Sequence, residues 1–97
     1  MTSTTQTIWR YDFEIEDRVV VTMPQGAQIL HATRSDRKEW GVAVWAQVDP
    51  EVPATARVIY VRGTGHPLGS AAGARYIGPV FEPPLVFHVF DGGEATQ

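Results

Sequence analysis

Between Glu39 and Asp49 the chain reads EWGVAVWAQVD. Counted at the strand period of two, Trp40, Val42, Val44, Ala46 and Val48 fall on one face and Gly41, Ala43, Trp45 and Gln47 on the other, and both faces are mostly apolar. A strand of that kind belongs in the middle of a sheet that is covered or closed on itself. The segment therefore predicts the central strand; its two tryptophans point to opposite faces, so at most one plugs the core and the other lines a pocket or an interface, with core the commoner place for each.

The rest of the chain alternates more simply. From Thr7, Trp9, Tyr11, Phe13 and Ile15 oppose Arg10, Asp12, Glu14 and Glu16, which predicts a half-buried strand with a wet outer face. Asp17 and Arg18 read as a polar turn into a second strand, Val19 to Met23, making a hairpin. Met23-Pro24-Gln25-Gly26 has the composition of a β-turn, with Pro at its second position and Gly at its fourth. Ala27 to Arg34 predicts a third strand that turns through Ser35 to Lys38 into the central one. Pro50-Glu51-Val52-Pro53 reads as a loop, because neither proline can donate to a ladder. Thr55 to Arg62 predicts a further strand, followed by the one long irregular segment, Gly63 to Ala74, with a turn of helix over Ser70 to Ala74. Arg75 to Phe81 and Leu85 to Phe90 complete the set around Glu82-Pro83-Pro84; Pro79 makes the first an edge or a bulge, and the second is apolar on both faces.

Seven short strands without a convincing helix predict an all-β fold, a small barrel or a tight sandwich of about six to seven mainly antiparallel strands. Residues 1–6 read as a flexible lead, 7–91 as a single β domain and 92–97 as a flexible tail.

Composition narrows the function classes. Eight Lys and Arg against eleven Asp and Glu give a net charge of −3 with no basic block, so non-specific nucleic-acid binding is not expected. The absence of cysteine removes disulfides, thiol nucleophiles and thiolate metal sites, as in a cytosolic protein. The polar first residues and the lack of a run of ~20 apolar residues predict neither a signal peptide nor a membrane span.

The sharpest candidate for chemistry is Gly63-Thr64-Gly65-His66-Pro67, with Arg62 before it and Arg75 beyond the loop. Glycines let backbone N–H groups approach an anion, and Arg62, Thr64, His66 and Arg75 would complete a phosphate or carboxylate site together with Gly63 and Gly65. The plainer reading is a tight turn stiffened by Pro67, with His66 bonded to a backbone carbonyl. His31, His66 and His88 lack the spacing of a zinc site, so neither a metal nor a cofactor is expected. Ser3, Ser35 and Ser70 have no nucleophile elbow, and the row Asp12, Glu14, Glu16 reads as a solvated strand face.

Several motifs fall in a recognisable order: Trp9 and Tyr11; Met23, Pro24, Gly26 and Ala27; Trp45 to Pro50; Gly63 to Pro67; Tyr76 to Gly78; Leu85 to Phe90. The series spans about residues 7 to 91 and resembles a small uncharacterised domain family of bacteriophages and bacterial genomes, with Pro79 where that family has threonine. The resemblance implies a compact phage-type protein in the cytoplasm of a bacterial host and brings no established activity or catalytic residues.

Three hypotheses follow. The chain is a protein-binding module that inhibits or redirects a host protein, with a homo-oligomer compatible; or it sequesters a small anionic, nucleotide-like ligand at Arg62 to His66 and Arg75; or it is an enzyme of unassigned class. The first ranks ahead because it requires nothing that the sequence lacks.

Overall fold

A computed structural model describes residues 5–95. Seven strands are formed among them: β1 (Thr7–Glu14), β2 (Arg18–Pro24), β3 (Gln28–Arg34), β4 (Gly41–Val48), β5 (Ala54–Gly63), β6 (Arg75–Glu82) and β7 (Leu85–Glu94). A short 3-10 helix, Gly69–Gly73, precedes β6. The strands make two antiparallel sheets, ordered β1-β4-β3 and β2-β5-β7-β6, which face each other as a sandwich and do not close into a barrel.

The core lies between the sheets, where inward positions at period two meet. Val42, Val44, Ala46 and Val48 of β4 are buried against Ile59 and Val61 of β5 and Val80 and Val89 of β6 and β7, with Phe13, Met23 and Ile29 among them. The strand β4 is the middle of its sheet, as its two apolar faces require. On its outer face Ala43 is fully buried, and the Trp45 ring lies between His31, 6.0 Å between centroids, and the Arg10 guanidinium at 5.2 Å.

Four expectations are corrected. β1 and β2 do not form a hairpin: β1 pairs with β4 and β2 with β5, so the chain changes sheet between them. Both strands carry an apolar face, and those faces are met across the core rather than side by side. The turn after β2 is shifted by one residue: the Ala27 N–H donates to the Pro24 carbonyl at 3.2 Å, which puts Gly26, with φ of 76°, third, where a type II turn needs a positive φ. Trp40 stands outside β4 at φ 52° and is 51% exposed, packing edge-on against Phe87 at 6.3 Å, so it is not core. Finally, Gly92 to Glu94 belong to β7 rather than to a tail, with Gly93 opposite Val58, Glu94 opposite Arg57 and Gly92 at the register shift before them; the expectations for residues 1–4 and 96–97 lie outside the described residues.

Pro79 acts as expected. β6 is an edge strand, and its register with β7 shifts between Tyr76 and Gly78.

The long Gly63 to Ala74 segment has a topological reason. β5 and β6 both run antiparallel to β7, on either side of it, so they are parallel to each other and need a crossover rather than a tight turn. The segment returns across β7, pinned where Ala71 is buried and where the Leu68 carbonyl accepts from Arg62 Nε at 3.0 Å.

Candidate functional site

The crossover opens with the glycine-rich turn. The His66 N–H donates to the Gly63 carbonyl at 3.0 Å, and Gly65 takes φ of 87°. The His66 imidazole lies against Gly63, where a Cβ would stand 3.0 Å from its Nδ1 and Cε1. The Thr64 N–H donates to the Val86 carbonyl at 3.1 Å, which fastens the turn to β7. These bonds match the plainer reading of a tight turn, although His66 closes it through its backbone and not its ring.

The candidate anion ligands are only partly brought together. Arg62 is engaged by carbonyls: Nη1 donates to Asp17 at 2.6 Å and to Val61 at 3.0 Å, Nε to Leu68, and the guanidinium sits 5.4 Å from the Tyr60 ring centroid. Arg75 is elsewhere. Its Nη2 donates to the Ile29 carbonyl at 2.5 Å and lies 3.6 Å from the Asp91 carboxylate. Gly63 is opposite Phe87 and Arg75 is opposite Asp91 along β7, a separation of roughly 13 Å at the strand rise. Arg62, Gly63, Thr64, Gly65 and His66 thus share one end of the sheet, and Arg75 the other.

What the turn does border is an apolar groove of about 390 Å³, walled by Gly63, Thr64 and His66 on one side and by Pro84, Leu85, Val86 and Phe87 on the other. Leu85 is 47% exposed, and Trp40 flanks Phe87. Sequence reasoning passed over Pro84 to Phe87 as turn and core strand. Its available signal was three consecutive apolar residues after a Pro-Pro pair, more than a turn requires. A second groove of about 380 Å³ lies where β3 and β6 approach, between His31 to Arg34 and Ile77 to Phe81, with Phe81 60% exposed.

Behind the turn, His88 is held from both sides. Its Nε2 is 2.8 Å from Thr64 Oγ1, its Nδ1 is 2.8 Å from the Tyr76 hydroxyl, and the Tyr76 ring lies over it at 5.7 Å. A hydroxyl, an imidazole and an orienting group in series have the outline of an activated nucleophile. Thr64 Oγ1 also stands 3.2 Å from the Val86 carbonyl, so its one proton has two acceptors within reach. With that proton on Val86, His88 Nε2–H donates to Thr64 and Nδ1 accepts from Tyr76. In that pattern the imidazole has no free acceptor with which to deprotonate Thr64.

The titratable groups with shifted pKa values lie away from the groove. Asp12 is read from sequence as solvated, yet its side chain is 9% exposed. Arg10 bonds it through Nε at 2.9 Å and Nη2 at 2.8 Å, and Ser35 Oγ donates to it at 2.6 Å. The Arg10 bonds hold its carboxyl below the usual range against the opposing effect of burial, with Ser35 adding to them. Ser35 Oγ also accepts from the Arg37 and Lys38 N–H groups, at 3.0 and 3.1 Å, and so fixes the turn between β3 and β4. For Asp91, burial works to raise the carboxyl, but Arg57, the Gly93 N–H and Arg75 outweigh it and hold it low. The three histidines occupy separate places, and no group of three or more His, Asp or Glu converges as a metal site among the described residues.

A family model described as a domain of unknown function (DUF7352) matches residues 4–97. No curated protein and no solved structure matches the chain.

Proposed function

Given that the chain belongs to the DUF7352 family of domains of unknown function, we propose that it is a binding module without catalytic machinery, which takes an apolar segment of a host polypeptide into the groove between the Gly63 to His66 turn and Pro84 to Phe87. The observation that carries this reading is the contrast in chemistry at the groove: exposed apolar side chains line it, while Arg62 and His88 beside it are engaged by internal partners. A free anion would have to displace carbonyls from Arg62. An apolar side chain displaces only water, at about 25 cal/mol per Å² buried.

In this reading the protein is a small phage-type accessory factor in the bacterial cytoplasm that inhibits or redirects one host protein. The order of motifs from Trp9 to Phe90 supports the phage context. A nucleotide-like ligand on Arg62, Thr64 and His66 is the competing reading.

The test compares wild type, Leu85→Asp and Arg62→Ala. A host polypeptide retained by wild type, and bound by purified wild type at least about tenfold more tightly than by Leu85→Asp, is expected. Thermal stabilisation of wild type by nucleotides that vanishes in Arg62→Ala, with Leu85→Asp indistinguishable from wild type, would overturn it.

A further inference from the structure

A sheet edge is a template for another strand unless something blunts it. Two of the four edges here are blunted. β3 is bulged between Ile29 and His31, β6 is bulged between Tyr76 and Gly78 and contains Pro79, and the two edges are tied to each other by Arg34 with Glu82 and by Arg75 with the Ile29 carbonyl. β2 is straight but ends in Pro24. β1 has none of these devices: all eight residues keep register with β4, from Thr7 opposite Val48 to Glu14 opposite Gly41, without proline, glycine or bulge.

The direction of its unpaired groups can be read from its end. The Ile15 N–H donates to the Trp40 carbonyl at 2.8 Å, on the β4 side, and the Gly41 carbonyl accepts from Ser35, on the β3 side. Because N–H and C=O alternate together along an antiparallel strand, the odd positions of β1 turn to β4 and the even positions, Ile8, Arg10, Asp12 and Glu14, turn outward.

We propose that this edge is where a second copy of the chain binds, its own β1 lying antiparallel about a two-fold axis at Tyr11, so that two three-stranded sheets become one of six. The sequence of β1 complements itself about that residue. Arg10 of one copy stands opposite Asp12 of the other, in the outward-turned positions that exchange backbone hydrogen bonds. The opposed charges form an alternating four-membered cluster on the outer face. On the inner face Trp9 stands opposite Phe13. Trp9 is 42% exposed although it shares the inward face of Tyr11 and Phe13, and the paired copy would cover it. The other straight edge lacks this symmetry: about its centre, Val21, β2 sets Arg18 opposite Pro24.

Sedimentation and amide hydrogen exchange over a concentration series test the proposal. The expected result is a particle of twice 10.7 kDa in which the Arg10 and Asp12 amides become protected as concentration rises. Ile8→Pro removes an outward N–H and no bond to β4, and Ile8→Glu sets a like charge opposite Glu14 of the other copy without altering the backbone; each should weaken association at least about tenfold while the monomer keeps its circular dichroism. A monomer at roughly 100 µM, protection that rises on β2 instead of β1, or association unchanged in both folded variants would overturn it.

Discussion

Arg57 and Asp91 meet between the two sheets as a two-point pair, Nε to Oδ1 at 2.9 Å and Nη2 to Oδ2 at 2.7 Å, each residue at most 9% exposed. The pair is also a structural bridge. Arg57 Nη1 donates to the Ala27 carbonyl at 2.7 Å and Asp91 Oδ1 accepts from the Gly93 N–H at 2.8 Å, so one contact joins β5, β7 and the start of β3. Asp91→Asn strands a buried guanidinium, and the expected loss of stability at neutral pH is about 3 kcal/mol, measured by urea denaturation.

The same pair sets an acid limit. The carboxyls of Asp91 and Asp12 are held below their ordinary range in the fold. A depressed folded pKa contributes stability that is fully present above the unfolded value of about 4 and is lost as pH falls through the folded value. Wild type should therefore be flat in stability through neutral pH and fall steeply below about pH 4, with a shallower fall in Asp91→Asn. Melting temperature against pH reads both.

Two glycines predict opposite outcomes for the same substitution. A Cβ on Gly92 would stand 2.7 Å from Tyr60 Cε2 and 3.1 Å from the Val58 carbonyl, and the backbone cannot give way. Gly92→Ala should cost about 1–3 kcal/mol. A Cβ on Gly63 meets only the ring of the exposed His66, which can rotate into solvent, so Gly63→Ala should cost less than about 1 kcal/mol. Parallel denaturant titrations separate them.

Tyr11 carries a misfit. Its hydroxyl is buried without a hydrogen-bond partner among the described residues, and burial pushes the phenol pKa up. Tyr11→Phe removes the desolvated group and keeps the ring, so stability should be unchanged or rise by about 1 kcal/mol.

Trp40 separates backbone from side-chain effects. At φ 52° a residue with a Cβ is strained, whereas glycine is not. Trp40→Gly and Trp40→Ala both lose the edge contact with Phe87, and the glycine variant should be the more stable of the two by about 1 kcal/mol. Thermal melts of the pair check it.

The all-β class, the central position of β4, the β3–β4 hairpin and the edge role of β6 were legible because each follows from a local rule, the period of two or the chemistry of proline. Strand partners were not. Alternation says which side chains of β1 and β2 face inward, but it does not say whether those faces lie side by side or across a core. Trp40 misled because alternation extends past Gly41 on paper, while the chain there takes a left-handed turn. The Arg57–Asp91 pair was hidden by 34 residues of separation. Arg62 and Arg75 looked convergent because they flank one loop; a crossover places its two ends at opposite ends of the intervening strand.

That β7 is the last of the seven strands yet lies inside its sheet constrains how the domain comes into being. Neither β5 nor β6 has its partner along that side until Leu85–Glu94 exists. On the ribosome, β5 and β6 must wait with open strand edges until Leu85–Glu94 emerge. The β1-β4-β3 sheet has all its strands before then, but a nascent chain halted before residue 85 leaves β5 and β6 with unpaired edges open to whatever the cell holds nearby.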